Sequence, residues 1–255
     1  MTVPLAARID GPDDGLPLVL LNSVGTTTAM WDPCLGPLAE QFRVIRLDTR
    51  GHGDSPTPQP GAPTTIADLG RDVLAALDAL DLDRVHLAGL SIGGMTGMWL
   101  AAHHPERVGR LALLCTSAHL PPAAGWYDRA RTVRDAGMAP VVDASLGRWL
   151  TADLRARDDA LVDRLRGMLL GIDPEGYAQC CEAIGALDLR ADLARIAAPT
   201  LVVSGADDLA TPVEHQQLIA ASIPNARHEI LTPAAHIAPV ERPDAVNHLI
   251  LEHLT

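Results

Sequence analysis

The chain contains no lysine: all 20 of its basic residues are arginine, against 32 acidic ones, for a net charge of −12. A nucleic-acid binder presents a basic face, and no run of arginines supplies one here, so that class of partner is excluded. An acidic surface also repels anionic ligands, so any anion site has to be locally positive. Aromatic residues are scarce as well: one Phe, two Tyr and four Trp in 255 residues, which leaves Ala, Leu and Val to fill the core. The four cysteines, Cys34, Cys115, Cys180 and Cys181, make no C-x-x-C pair, and adjacent Cys180 and Cys181 are badly placed for a structural disulfide. Reduced thiols and a cytoplasmic location are therefore expected. The opening MTVPLAARIDGPDDG lacks the charged and apolar regions of a secretory signal. No apolar run reaches the roughly 18 residues of a membrane span, so no membrane partner is expected.

Short apolar runs are present: Leu16–Leu21, Arg43–Leu47, Val85–Leu90, Leu111–Cys115, Thr200–Ser204 and His228–Leu231. Continuous rather than alternating apolar residues predict strands of a parallel sheet covered on both faces. Helical periodicity fills the intervals at Ile66–Leu80, with Thr64 or Thr65 as N-cap, and at Ile92–His103, Pro212–Ile223 and Arg242–Leu254. The class is α/β, a mostly parallel sheet flanked by helices. Between about 120 and 195 the alternation stops, and four helices are predicted around Tyr127–Ala136, Pro140–Leu150, Asp158–Leu170 and Pro174–Ala186. This stretch is expected to form a helical cap, 120–195, inserted before the last two strands of a core made of 1–119 and 196–255.

The strand Val85–Leu90 runs directly into Gly89-Leu90-Ser91-Ile92-Gly93-Gly94. This is a G-x-S-x-G elbow, in which a serine sits on a sharp strand-to-helix turn with small residues where strand and helix come close. The motif alone recurs by chance; its position between a strand and a helix is what gives it weight. A nucleophilic serine needs a base, and the base an orienting group. In elbow-bearing hydrolases the acid and then the histidine follow the serine along the chain. Past the strand Thr200–Ser204 lie Asp207 and Asp208, which compete for the acid's role, the other being a turn or capping residue. His236 follows the last strand, where the base is expected, whereas His103, His104, His86, His215, His248 and His253 sit at helix or strand positions that suit structural roles. One oxyanion-binding N–H belongs to the residue after the nucleophile, Ile92, and the other to the loop Leu21–Thr26 after an early strand.

Three segments together carry a resemblance: Asn22-Ser23-Val24-Gly25-Thr26, Asp48-Thr49-Arg50-Gly51-His52-Gly53-Asp54-Ser55, and Gly89 through Ala101. The chain resembles the 3-oxoadipate enol-lactonases of the α/β-hydrolase superfamily, from about residue 16 to the C-terminus. The second segment and the elbow are general to the superfamily. The Asn-Ser-x-Gly-Thr loop and the Gly-Met-x-Gly-x-Trp-Leu-Ala helix are the narrower signals. The resemblance implies the α/β-hydrolase fold, a Ser91–His236–Asp208 triad and an acyl-enzyme. Asp208 is preferred over Asp207 because it fits G-x-x-D-x-x-T-P. Many members carry His-Gly where Asn22-Ser23 stands, which makes Val24 the second oxyanion donor. Val24 and Ile92 replace the Leu and Met expected there, apolar for apolar.

The resemblance implies hydrolysis of a small anionic lactone in aromatic-compound catabolism, with neither cofactor nor metal. The substrate carboxylate then calls for arginine. The cap holds ten of the arginines against twelve acids, so it is far less negative than the core. Arg129, Arg131, Arg134 and Arg148, flanked by Trp126 and Trp149, form a candidate site. Arg134 and Trp149 are chosen from it, with Ser23 as a further substrate contact. Related esterases, perhydrolases and C–C bond hydrolases share the elbow, and a non-catalytic binding scaffold is a rival of another class. Enzymes that place Asp at the nucleophile position are disfavoured by Ser91.

Overall fold

The computed structural model describes residues 2–59, 61 and 63–255. Seven strands form one sheet: β1 (Ala7–Asp10), β2 (Leu16–Leu21), β3 (Phe42–Leu47), β4 (Val85–Leu90), β5 (Val108–Leu114), β6 (Thr200–Gly205) and β7 (Ala226–Leu231). Their spatial order is β1-β3-β2-β4-β5-β6-β7. β1 runs antiparallel to β3, and every other neighbouring pair is parallel. The helices are α1 (Asp32–Ala39), α2 (Ile66–Ala79), α3 (Ile92–His103), α4 (Ala123–Ala136), α5 (Val142–Trp149), α6 (Ala152–Arg157), α7 (Asp159–Leu170), α8 (Pro174–Gly185), α9 (Val213–Ser222), α10 (Ala238–Glu241) and α11 (Pro243–Leu254). None of them is long and apolar enough to cross a membrane.

Every residue of β6 is buried, as are nearly all of β4, which is what a strand covered on both faces requires. The edge strands differ. β1 is mostly exposed, and β7 is only partly covered. The start of α2 is set locally: Thr65 Oγ1 accepts from the Asp68 N–H and the Asp68 carboxylate accepts from the Thr65 N–H, a reciprocal cap.

The chain leaves β2 for β3 on one side and later returns to place β4 on the other. The strand order therefore switches between β2 and β4, and a crevice opens beyond their carboxyl ends. The loop Asn22–Thr26 and Ser91 flank that crevice. Asp208 and His236 follow the carboxyl ends of β6 and β7. Five helices, α4 to α8, lie between β5 and β6 with no strand among them.

Candidate active site

Ser91 takes φ 56° and ψ −118°, a strained conformation for a residue with a side chain. Its frame holds it there. The Ser91 N–H donates to the Leu114 carbonyl at 3.0 Å, and its own carbonyl accepts from the Met95 N–H at 2.9 Å and from Thr116 Oγ1 at 2.7 Å. The glycines of the motif are steric necessities. A Cβ on Gly89 would fall 2.4 Å from the Gly93 carbonyl carbon, and one on Gly93 would fall 2.5 Å from the Leu21 carbonyl oxygen. Strand, helix and the neighbouring strand end thus meet backbone to backbone.

Asp208 is buried, while Asp207 is exposed and donates its N–H to the Ala234 carbonyl. Asp208 Oδ1 accepts from the Ala210 and Thr211 N–H groups at 2.7 and 3.0 Å; Oδ2 accepts from Thr211 Oγ1 at 2.8 Å and from His236 Nδ1 at 2.9 Å. Burial alone would raise this carboxyl, but the His236 imidazole and the Thr211 donors outweigh it and hold it below the ordinary value. An ionised carboxylate only accepts, so the His236 proton facing it sits on Nδ1, the tautomer in which Nε2 is the accepting nitrogen. The geometry selects Asp208 over Asp207 as the imidazole's partner.

The loop Asn22–Thr26 is held from three sides. Asn22 Nδ2 donates to the Leu47 carbonyl, the Asn22 carbonyl accepts from the Gly93 N–H, and the Gly25 N–H donates to His52 Nε2 at 3.0 Å. His52 Nδ1 in turn donates to the Arg50 carbonyl at 3.0 Å. That arrangement needs a neutral ring, and burial pushes the His52 pKa down to about 4. Asp48 braces the same region, accepting from the Thr28 and Asp54 N–H groups. The Val24 and Ile92 N–H groups have no hydrogen-bond partner among the described residues. They are the two donors expected for an oxyanion.

Ser91 and His236 line one small cavity of about 40 Å³ together with Ser23, Val24, Thr211 and Trp149. The Ser23 hydroxyl is buried and has no hydrogen-bond partner among the described residues. The cavity's far wall comes from α4, α5 and α8, and it includes Arg129, Arg148 and Tyr177. The expectation for Arg134 needs correction. Its guanidinium pairs with Glu175 at 2.7 Å and Glu182 at 2.5 Å, tying α4 to α8, and it does not line the cavity. Glu175 and Glu182 are seven residues apart on α8, two turns along one face, so both reach the same arginine. Arg129, from the same cluster, does line the cavity. Its Nε donates to the Tyr177 hydroxyl at 2.7 Å and its Nη2 to Ser145 Oγ at 2.5 Å. Neither Arg129 nor Arg148 has a carboxylate partner among the described residues. Tyr177, Ser145 and Thr211 also line the cavity, and of these only Thr211 carries a sequence signal, as the threonine of the G-x-x-D-x-x-T-P pattern. Among the described residues no group of three or more His, Cys, Asp or Glu is placed to hold a metal ion.

The α/β-hydrolase fold model matches residues 17–158. The chain belongs to the α/β-hydrolase family. Within it, the chain is 39% identical to 3-oxoadipate enol-lactonase 2 of Acinetobacter baylyi, over 94% of this chain and 89% of that one. The crystal structure of the enol-lactonase from Burkholderia xenovorans superposes with a TM-score of 0.95 at 41% identity, covering 99% of this chain and 96% of that one. A protein of Stutzerimonas stutzeri, named provisionally as a carbamate hydrolase, is 30% identical over 94% of this chain and 92% of its own length. The α/β-hydrolase fold that the resemblance implies is the fold observed.

Proposed function

We propose that this chain hydrolyses a carboxylated enol-lactone of the 3-oxoadipate type, with Ser91 as nucleophile, His236 as base and Asp208 as orienter. Family and relatives make it a hydrolase of ester bonds. The observation that carries the finer reading is the cavity itself. It joins Ser91 and His236 to Arg129 and Arg148, two guanidiniums with no carboxylate partner of their own. A neutral ester or carbamate would not need two cations without carboxylate partners in the nucleophile's cavity, whereas a substrate carboxylate would pair with them. Residues 120–195 act as the cap in this reading, since α4, α5 and α8 supply the cavity's far wall.

His236 Nε2 takes the Ser91 proton as Oγ attacks the lactone carbonyl, and Asp208 stabilises the imidazolium that forms. The Val24 and Ile92 N–H groups bind the developing oxyanion, each worth on the order of 10²–10³ in rate. The ring oxygen departs as an enolate, which His236 protonates on its way to the ketone, and ring opening becomes effectively irreversible. Water activated by His236 then attacks the acyl-enzyme, releases the dicarboxylic keto acid and restores the serine.

The loss of enol-lactone ultraviolet absorbance, followed for wild type beside Ser91→Ala, tests this. Wild type is expected to turn the lactone over and Ser91→Ala to be inactive. Wild type that cleaves aryl esters and carbamates but leaves the enol-lactone intact overturns the substrate assignment.

A further inference from the structure

Behind the cavity a buried amide links the two halves of the site. Gln216 lies on α9 with its side chain fully enclosed, at 0% exposure. Its Nε2 donates to the Thr116 carbonyl at 2.7 Å and to Thr211 Oγ1 at 3.2 Å. Its Oε1 accepts from Ser204 Oγ at 3.3 Å, and Ser204 Oγ lies 2.7 Å from His228 Nε2. The amide's orientation is not arbitrary, because the Thr116 carbonyl can only accept and so fixes which end is nitrogen.

Each of the two groups that Gln216 holds touches a different member of the triad. Thr116 Oγ1 donates to the Ser91 carbonyl at 2.7 Å, which supports the strained turn. Thr211 Oγ1 donates to Asp208 Oδ2 at 2.8 Å, the same oxygen that accepts from His236. The Thr211 hydroxyl has one proton. With Gln216 donating to its oxygen, that proton is left to point at Asp208. Thr116, Thr211 and Ser204 are all 1% exposed or less. An enclosed amide is costly unless every polar atom is matched, and a leucine would fill the space without that demand.

We infer that Gln216 is a positioning residue for the hydrolysis, setting the Thr211 hydroxyl on Asp208 and the Thr116 strap under Ser91 so that base and nucleophile keep register. The inference rests on the catalytic reading above. Gln216 touches neither substrate nor reacting atoms; it acts through Thr211 and Thr116.

The test uses p-nitrophenyl acetate as the probe and the full chain throughout. Gln216→Leu is expected to lower kcat about tenfold with KM within about twofold, as fits the loss of one directed buried hydrogen bond. Thr211→Val is expected to lower kcat comparably, and Thr211→Ser, which keeps the hydroxyl, to restore most of it. The double variant Gln216→Leu/Thr211→Val should be little worse than the poorer single, because both break one chain of contacts. Losses that multiply in the double variant, or a rise in KM in place of the fall in kcat, overturn the inference. If Gln216→Leu does not fold, the Thr211 pair decides: equal activity of Thr211→Val and Thr211→Ser overturns it. Ser91→Ala separates the two claims. Turnover by Ser91→Ala would defeat the catalytic reading, whereas an inactive Ser91→Ala beside independent Gln216 and Thr211 losses defeats only the positioning role.

Discussion

Replacing Asp208 by Asn changes no volume and removes one charge, yet the hydrogen-bond pattern dictates a large loss. Oδ1 of Asp208 accepts from two backbone N–H groups, at Ala210 and Thr211. In Asp208→Asn the amide oxygen must occupy that position, since an NH₂ there would face two donors. The amide nitrogen then falls where Oδ2 stood, 2.9 Å from His236 Nδ1. Nδ1 is forced to accept, the imidazole proton moves to Nε2, and the ring can no longer take the Ser91 proton. A wrong tautomer of this kind costs about 10⁴ in kcat, or roughly 5 kcal/mol of transition-state stabilisation. The substitution is isosteric and keeps the two backbone donors on Oδ1 satisfied, so the fold should survive. The assay is kcat on p-nitrophenyl acetate, with far-ultraviolet circular dichroism as the check on folding. Asp207→Asn is the control, and its exposed side chain should leave kcat within about twofold. A folded Asp208→Asn retaining more than about a tenth of kcat, or a loss that appears in Asp207→Asn instead, refutes the tautomer argument.

Other outcomes follow from the same geometry. Arg129→Gln should raise KM for the carboxylated lactone about 10–100-fold and leave p-nitrophenyl acetate nearly unaffected, as expected for one charge-assisted contact, whereas Arg134→Ala, engaged with Glu175 and Glu182, should move neither KM. Steady-state kinetics on the two substrates decide this, and equal effects on both would remove Arg129 from substrate recognition. Gly93→Ala sets a Cβ 2.5 Å from a backbone oxygen and should cost about 3 kcal/mol, read from the urea midpoint; a loss below about 1 kcal/mol would mean the elbow yields easily. His52 has its folded pKa lowered from 6.5 to about 4, so the unfolded chain takes up this proton first as pH falls. Its contribution is complete above about pH 6.5 and is lost progressively down to about pH 4, amounting to about 3 kcal/mol. Urea midpoints between pH 7 and pH 5 should therefore fall in wild type and fall less steeply in His52→Gln.

The elbow is legible because it is local, and Ser91, Asp208 and His236 stand out because each follows a strand end. Ser91 follows a continuous apolar strand, and Asp208 and His236 each follow another. The strands buried on both faces announce themselves through unbroken apolar runs, as β4 and β6 do. β1 was missed because Ala7–Asp10 is a short, exposed edge strand with no such run. α1 was missed because its eight residues contain Gly36 and Pro37, which read as breakers. Asp207 and Asp208 are adjacent and chemically identical; the G-x-x-D-x-x-T-P spacing favours Asp208, and burial and the hydrogen bond to His236 separate the two in the structure. Nothing beside Arg134 in the sequence marks it as engaged, because its partners Glu175 and Glu182 lie 41 and 48 residues away. Arg129 belonged to the same cluster, but its freedom from carboxylates is a property of how α4, α5 and α8 pack. Gln216 lies beyond reach for the same reason. Its neighbours Thr116 and Thr211 are 100 and 5 residues distant, and nothing local distinguishes it from a solvent-facing glutamine.

The central claim is that Ser91 is the nucleophile of this cavity. The direct measurement is reaction of the native protein with a fluorophosphonate, followed by peptide mass spectrometry. One adduct per chain on Ser91 is expected, with labelling abolished in Ser91→Ala and strongly slowed in His236→Ala. Labelling at another serine, or undiminished labelling when His236 is removed, would contradict it.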